Sequence, residues 1–182
     1  LGVVVGVVAA ANHGKWVDSA LMTISVFGIS APAFWIAIIL QIVICLKFNL
    51  LPLSGIDSFK SFILPGIALG TRYAASIARI TRTSMLDVLS QDYIRTAEAK
   101  GLKGWVVTIK HALRNALIPI ITIAGSDLGN ILTGSVLVES VFSIPGIGKM
   151  LVDSINTRDL PIVQGGVMYI AVICVIMYLV VD

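Results

Sequence analysis

Charged side chains are scarce in this sequence: they make up 13% of its 182 residues, whereas 57% of the residues are apolar. Soluble domains usually carry about 25% charged residues, so this composition requires lipid around much of the surface. Cysteine and histidine are scarce too. Cys45 and Cys174 lie in apolar runs without a Cys-x-x-Cys spacing, which indicates packed or lipid-facing thiols. His13 and His111 have no further ligand residues nearby in the sequence, so we expect no metal site.

Motifs for catalysis or nucleotide binding are also missing. The segment 146–150 resembles a phosphate loop only faintly, because Ser143 stands where the first glycine is needed and Met150 where Ser or Thr is needed. We find no Ser/His/Asp arrangement and no paired carboxylates. The sequence therefore predicts no catalytic residues, no cofactor bound by this chain and no nucleic-acid partner.

Long apolar stretches are what the sequence has instead, at 1–11, 19–46, 63–80, 117–138 and 163–181. The last four approach or exceed the ~20 residues that span a membrane as a helix. Because their polarity does not alternate, β-barrel strands are excluded. We predict an all-α, polytopic bundle of transmembrane helices. Gly28, Pro32 and Pro119 predict interruptions or kinks within it, either for movement or as static packing features.

The distribution of basic residues predicts the orientation. Eight of them lie in the loops 12–18 and 79–116, and four lie in the loops 47–62 and 139–162. The larger group is Lys15, Arg79, Arg82, Arg95, Lys100, Lys103, Lys110 and Arg114; the smaller is Lys47, Lys60, Lys149 and Arg158. The first two loops are therefore predicted to be cytoplasmic and the other two external.

Both ends of the chain look cut. Leu1 already lies inside an apolar run, and residues 1–11 would rise only ~16 Å as a helix. Asp182 directly follows an apolar segment. We therefore expect a fragment of a longer subunit, with residues 1–182 forming a single transmembrane domain.

The polar stretch 79–116 predicts two short helices. Asp92 in the first turn and Lys100 in the last turn of the first helix suit the helix dipole, and Gly101 suits a left-handed C-terminal cap. Its residues Tyr93, Ile94 and Ala97 share one face. The second helix is predicted to run without a break into the apolar segment from 117, with Trp105, Ile109, Ala112, Leu113 and Ala116 on one stripe and Thr108, His111, Arg114 and Asn115 opposite.

Residues 95–102, followed by 111–116 and Pro119, resemble the "EAA" loop of ABC importer permeases, and more narrowly the branch that imports dipeptides, oligopeptides and nickel. Ala97 and Gly101 keep the family spacing. The departures are Arg95 and Thr96 for the family's Glu and first Ala, and His111 and Arg114 for its Ile and Pro. These departures are shared by the peptide and nickel branch. Residues 84–88, 142–146 and 158–165 resemble further segments of that branch, with Leu160 in place of a Tyr.

The resemblance implies a fold of the type I ABC importer kind, in which the family's N-terminal helix and following external segment are missing from this chain. It implies that the loop 84–116 contains the coupling helix, which docks on an ATP-binding subunit. The residues involved would be Arg95, Thr96, Ala97, Glu98, Ala99, Lys100, Gly101 and Leu102. Small residues allow close approach, and the charged ones supply polar contacts. The alternative is an ordinary amphipathic loop on the headgroups.

The resemblance also implies partners and location. These are a second, similar permease, two ATP-binding subunits that hold ATP and Mg, an external substrate-binding protein and lipid, in a bacterial or archaeal plasma (inner) membrane. The expected function is that of a transmembrane permease in an ATP-driven importer, first for dipeptides or oligopeptides and second for nickel or a metal chelate. A rival of another class is an ion-coupled secondary transporter that uses Asp127, Glu139 or Arg72 as a relay.

Polar residues inside the apolar stretches are functional hypotheses by default. Arg72 and Asp127 are predicted at similar depth, ~13–15 Å inside, where they pair or line one polar cavity. The candidate translocation path comprises Arg72, Ser126, Asp127, Asn130 and Thr133. Gly125 and Gly129 add a small-residue step beside it, for which tight helix packing is the competing interpretation.

Overall fold

The structure is a computed structural model that describes residues 1–56, 58–132 and 135–181, and within them every regular element is a helix. The predicted all-α class is therefore confirmed. The helices are α1 Gly2–Ala11, α2 Trp16–Ser30, α3 Ala33–Leu40 with a π-helical continuation Gln41–Lys47, α4 Ile63–Leu89 after a short 3-10 turn Phe59–Phe62, α5 Asp92–Ala99, α6 Gly104–Val106, a π-helical turn Val107–Leu113, α7 Arg114–Leu132, α8 Val136–Val141, α9 Ile147–Asn156 and α10 Leu160–Val181.

Among the described residues, two helices are long and apolar enough to cross a membrane: Gly104–Ile131, which joins α6, the π-helical turn and α7, and Leu160–Val181. A third span results if α2 and the helix Ala33–Lys47 are counted together. The break between these two confirms the interruption predicted at Pro32, which has no backbone N–H to continue a helix. Pro119, by contrast, lies inside α7, and the helix continues through it.

Two predicted stretches differ from the helices observed. The stretch 63–80 lies in α4, which is longer and continues to Leu89, and the arginines and hydroxyls of α4 keep it out of the set of helices apolar enough to span. The stretch 117–138 is not one helix, because α7 is described to Leu132 and Val136–Val141 forms the separate helix α8. Hydropathy alone could not find either boundary. The apolar residues of the first stretch stop short of the end of α4, and those of the second stretch continue past the end of α7 into α8.

The chain divides into two compact units, each built from two separate stretches. Unit 1 contains Leu1–Ser30 and Tyr73–Ala124, and unit 2 contains Ala31–Arg72 and the chain from Gly125 onward. The buried core of unit 1 consists of Ala10, Met85, Ile94, Ala97, Val107, Ala112, Ala116 and Ile120. Helices α1, α4, α5 and α7 therefore share one apolar core within this unit.

Unit 2 has its own core of Ala37, Cys45, Leu64, Ala68, Val138 and Phe142. Backbone groups of the segment after α3 are tied into it by hydrogen bonds. The Gln41 side-chain amide donates to the carbonyls of Leu53 and Val141 at 2.8 and 3.0 Å, and the N–H of Gly55 donates to the Phe142 carbonyl at 3.1 Å. The thiol of Cys45 is buried, so the expectation of a packed cysteine is correct here.

Candidate functional site

Helix α5 corresponds to the first of the two short helices that the sequence predicts in the polar stretch 79–116. It begins at Asp92 and ends at Ala99, after which Gly101 takes the left-handed conformation at φ +75°. The N–H groups of Gly101 and Leu102 donate to the carbonyls of Glu98 and Ala97 at 2.8 and 3.4 Å. The predicted glycine cap is present. The helix is therefore Asp92–Ala99, and the last three of the eight predicted coupling residues lie in the turn that follows it.

The inner face of α5 packs within unit 1. Ile94 and Ala97 are buried beside Met85 of α4 and Ala112 of the following helix. The sequence had suggested Ala97 as a point of close approach for a partner, but its side chain is only 7% exposed and contacts the core of its own unit. Ala99 and Gly101 keep the small, accessible surface that the prediction needs.

The outer face of α5 and its turn is exposed and polar. The exposed residues are Arg95, Thr96, Glu98, Ala99, Lys100, Gly101 and Leu102. Within the part of the chain that the structure describes, Arg95, Glu98 and Lys100 take part in no ion pair. Two positive charges and one negative charge are thus available to a binding partner, beside small residues that permit close approach.

A continuous helix connects this surface to the apolar stretch. Asn115 donates through its side-chain amide to the Tyr93 hydroxyl at 2.9 Å, which ties α5 to α7. The predicted apolar stripe on this helix is only partly correct. Ala112 and Ala116 are buried, whereas Trp105 is 69% exposed and Ile109 is exposed as well. The cause is the π-helical turn Val107–Leu113, whose wider winding changes which residues face the core.

The two ionisable residues of the candidate path, Arg72 and Asp127, both belong to unit 2. Arg72 is exposed on α4, and Asp127 is partly buried on α7. No ion pair joins them within the described residues, and the Asp127 Oδ2 atom is buried without a hydrogen-bond partner there.

The rest of the candidate path is described in part. Ser126 and Asn130 lie on α7 with Asp127, and Thr133 lies outside the described residues. Gly125 packs against the Val181 side chain, and a Cβ at Gly129 would lie 3.8 Å from Met177. The small-residue step therefore serves packing of α7 against α10, which is the competing interpretation that the sequence left open.

Two polar clusters were missed from the sequence. In unit 1, Arg82 of α4 binds Asp18 of α2, with His13 beside them. In unit 2, Glu139 of α8 accepts a hydrogen bond from the backbone N–H of Lys149 at 2.8 Å. No local signal points to the first cluster, because its partners lie 64 residues apart. In the second cluster, a backbone N–H of the segment 146–150 thus donates to a protein carboxylate.

A cleft of about 610 Å³ lies beside α9 in unit 2. Its polar lining includes Lys149, Asp153, Thr157 and Asp159. Helix α9 therefore borders a concave surface that carries charges of both signs.

These features define a helical membrane protein in which a short, capped helix is packed against a helix long enough and apolar enough to cross a membrane. The sequence pattern of the binding-protein-dependent transport system inner membrane component family matches residues 2–182, and the chain belongs to this family. It has the type I ABC importer membrane fold and is located in the inner membrane.

The chain is 45% identical over 181 residues to the glutathione transport system permease protein GsiC of Escherichia coli (strain K12). Its identity to the protein of the same name from Salmonella choleraesuis (strain SC-B67) is 44%. Each comparison covers 100% of this chain and 59% of the relative, so the chain spans about three fifths of the length of these relatives.

Proposed function

We propose that this chain is the transmembrane permease subunit of an ATP-driven, binding-protein-dependent importer. The observation that carries the proposal is the construction of α5. Its inner residues Ile94 and Ala97 share a core with Ala112 and Ala116, which lie on the helix Gly104–Ile131. Its outer face is left exposed and charged. Force applied to this face is therefore passed into a helix that crosses the membrane.

The mechanism follows from that connection. Two partner subunits bind ATP and Mg, close on each other and move α5, while this chain makes and breaks no covalent bond. The attached helices then change between inward and outward access. ATP can shift this equilibrium only as far as it binds one conformation better than the other. A second, similar permease completes the pathway.

The partner contacts on the cytoplasmic side are assigned to the eight residues from Arg95 to Leu102, with one change of role. Ala97 supports the surface from inside, because it is buried, and the other seven are exposed. On the external side, an external binding protein delivers the substrate. The charged cleft beside α9 is compatible with that contact.

The translocation path is proposed to include Arg72, Ser126, Asp127 and Asn130, with Thr133 as a further member from the sequence alone. Ionisable groups inside a membrane are costly and usually line a polar cavity or face a partner subunit. The buried Oδ2 atom of Asp127, which lacks a hydrogen-bond partner among the described residues, supports this assignment.

The substrate class is proposed to be short peptides. The relatives named above are glutathione permeases, and glutathione is a tripeptide. Nickel or a metal chelate is the alternative that the resemblance leaves open. Uptake of radiolabelled glutathione, of a dipeptide mixture and of ⁶³Ni²⁺ by the complete importer separates these classes. An importer of short peptides should take up the first two probes, and an importer of nickel should take up only the third.

The decisive test is capture of the ATP-binding subunit by the full-length permease. Ala99→Arg places a long, charged side chain on the exposed face of α5 and should reduce capture and ATP-dependent uptake together by about tenfold or more. Ala11→Arg is the matched control, since Ala11 is also an exposed helical alanine of unit 1. It should leave both unchanged. Ala97→Arg is unsuitable because it disrupts the core.

Uptake that is unaffected by loss of the ATP-binding subunit and that follows the membrane potential would overturn the proposal in favour of an ion-coupled transporter. Equal capture by the parent and Ala99→Arg proteins would overturn the assignment of the surface to α5.

A further inference from the structure

An ion pair in unit 1 has no place in the function described so far. Arg82 donates through Nε to the Asp18 Oδ1 atom at 2.6 Å and through Nη2 to Oδ2 at 2.7 Å. This is the bidentate geometry that gives an arginine–carboxylate pair directional strength. We call the Asp18–Arg82 pair the latch.

The carboxylate of the latch is buried, Arg82 is half-buried, and both carboxylate oxygens accept hydrogen bonds. Asp18 is only 3% exposed. Besides Arg82, its Oδ2 atom accepts a hydrogen bond from the N–H of Gly14 at 3.2 Å and lies 3.2 Å from His13 Nδ1. Gly14, at φ +77°, forms the turn between α1 and α2. One carboxylate therefore holds both this turn and α4.

The latch lies next to the core that supports α5. Met85 follows Arg82 by one turn of α4, and Ala10 precedes His13 by three residues at the end of α1. Both Met85 and Ala10 belong to the core that buries Ile94 and Ala97. A displacement of α5 is thus passed to the segment of α4 that carries Arg82.

Helix α2 lies outside this core. Within the described residues, no side chain of α2 belongs to the core of unit 1 or packs on it as a partly buried apolar group. The buried residues of α2 are Asp18 and Ser25. The Asp18–Arg82 ion pair joins α4 to α2, and an ion pair is directional, whereas an apolar contact can slide.

We infer that the Asp18–Arg82 latch transmits the movement of α5 to α2, so that Asp18 and Arg82 act as positioning residues in transport. This inference rests on the proposed function. A structural role alone would require only that the buried charges be neutralised, whereas transmission requires that the two helices stay joined.

These two roles separate in a double-mutant cycle with Asp18→Asn, Arg82→Gln and the double variant. Removing one partner leaves an unpaired buried charge and lowers the amount of folded protein, and removing both relieves that penalty. The double variant should therefore recover the yield of folded permease and the capture of the ATP-binding subunit. In the double variant, ATP hydrolysis should nevertheless stay uncoupled from transport and from the movement of α2.

Coupling is measured in the complete importer in two ways. The first is glutathione taken up per ATP hydrolysed. The second is the ATP-dependent change in maleimide labelling of Thr23→Cys, an exposed position on α2, which needs no transported substrate. We expect both readouts to fall about tenfold in the single and the double variants, within the usual range of coupling between sites. Asp87→Asn and Arg79→Gln, exposed matches on α4, should keep parent values.

Recovery of both readouts in the double variant would overturn the inference, and so would parent values in the single variants. If the parent importer shows the labelling change without glutathione uptake, the substrate is wrong and the labelling still decides on the latch. If the parent shows neither ATP-dependent labelling nor uptake of any probe, the proposed function fails and the latch fails with it.

Discussion

Glu139 and Lys149 lie on neighbouring short helices, and a Glu139 carboxylate oxygen accepts a hydrogen bond from the Lys149 backbone N–H at 2.8 Å. Lys149 is the third residue of α9, so its N–H has no partner within that helix. The carboxylate also lies at the positive end of the helix dipole. A side chain from α8 thereby fixes the start of α9.

Replacing this carboxylate should destabilise the protein. We expect Glu139→Ala to lower the free energy of unfolding by about 1–2 kcal/mol, the usual effect of losing a helix cap. Glu139→Gln keeps an acceptor oxygen and should lose less. Asp153→Ala, which removes an exposed carboxylate from α9 itself, should change stability by about 0.5 kcal/mol or less. Thermal unfolding of the purified permease measures all three, and equal midpoints for Glu139→Ala and parent would contradict the role of the cap.

Gly6 allows α1 to pack closely on α4. A Cβ atom at this position would lie 2.6 Å from the Ala78 carbonyl oxygen and against the Thr81 side chain. Since the backbone cannot move away cheaply, we expect Gly6→Ala to destabilise the protein by about 1–3 kcal/mol.

The matched control is Gly70→Ala in α4, where a Cβ would meet nothing within 4 Å. Alanine is the better helix former, so this change should be neutral or stabilising by up to about 1 kcal/mol. The same thermal unfolding experiment compares the two. Similar effects of both substitutions would show that the contact of Gly6 is unimportant.

The local features of α5 could be predicted because their causes are local. Asp92 at the start and Gly101 after the end act through the backbone groups of their own helix, and both lie where the sequence places them. The inward positions of Ile94 and Ala97 follow from helical periodicity. What periodicity could not reveal is that Ala97 is used by the core of its own unit instead of by a partner.

The features that were missed depend on distant residues or on irregular winding. Nothing near Asp18 in the sequence points to Arg82, because only the folded unit brings them together. The π-helical turn Val107–Leu113 exposes Trp105 and Ile109, and a regular helical period cannot anticipate it. Fold class was accessible from composition, whereas the latch and this turn required tertiary structure.

The predicted orientation can be tested by cysteine labelling. Ser90→Cys, after α4, and Ser54→Cys, after α3, both replace exposed residues. The excess of basic residues on the side of Ser90 predicts that it is cytoplasmic. In intact spheroplasts, a membrane-impermeant maleimide should label only Ser54→Cys, and Ser90→Cys should react after permeabilisation. The parent protein gives the background from Cys45 and Cys174, and the reverse labelling pattern would contradict the orientation.

Trp105 should lie at the level of the lipid headgroups on the cytoplasmic side. The helix Gly104–Ile131 has 28 residues and is therefore about 42 Å long, which exceeds the ~30 Å hydrocarbon core and matches the bilayer with its headgroups. Trp105 is its second residue and is largely exposed, and tryptophan favours this interface.

Quenching by brominated lipids measures this depth in the permease reconstituted without its partners. The emission lost on Trp105→Phe should be quenched more by lipids brominated near the headgroup than by lipids brominated near the chain end. Trp35, inside the predicted span 19–46, gives the control through Trp35→Phe and should show the opposite order. If bromine near the chain end quenches Trp105 more strongly, the start of the helix Gly104–Ile131 lies deeper in the membrane. Helix α5 would then be too close to the membrane surface for an ATP-binding subunit to dock on it.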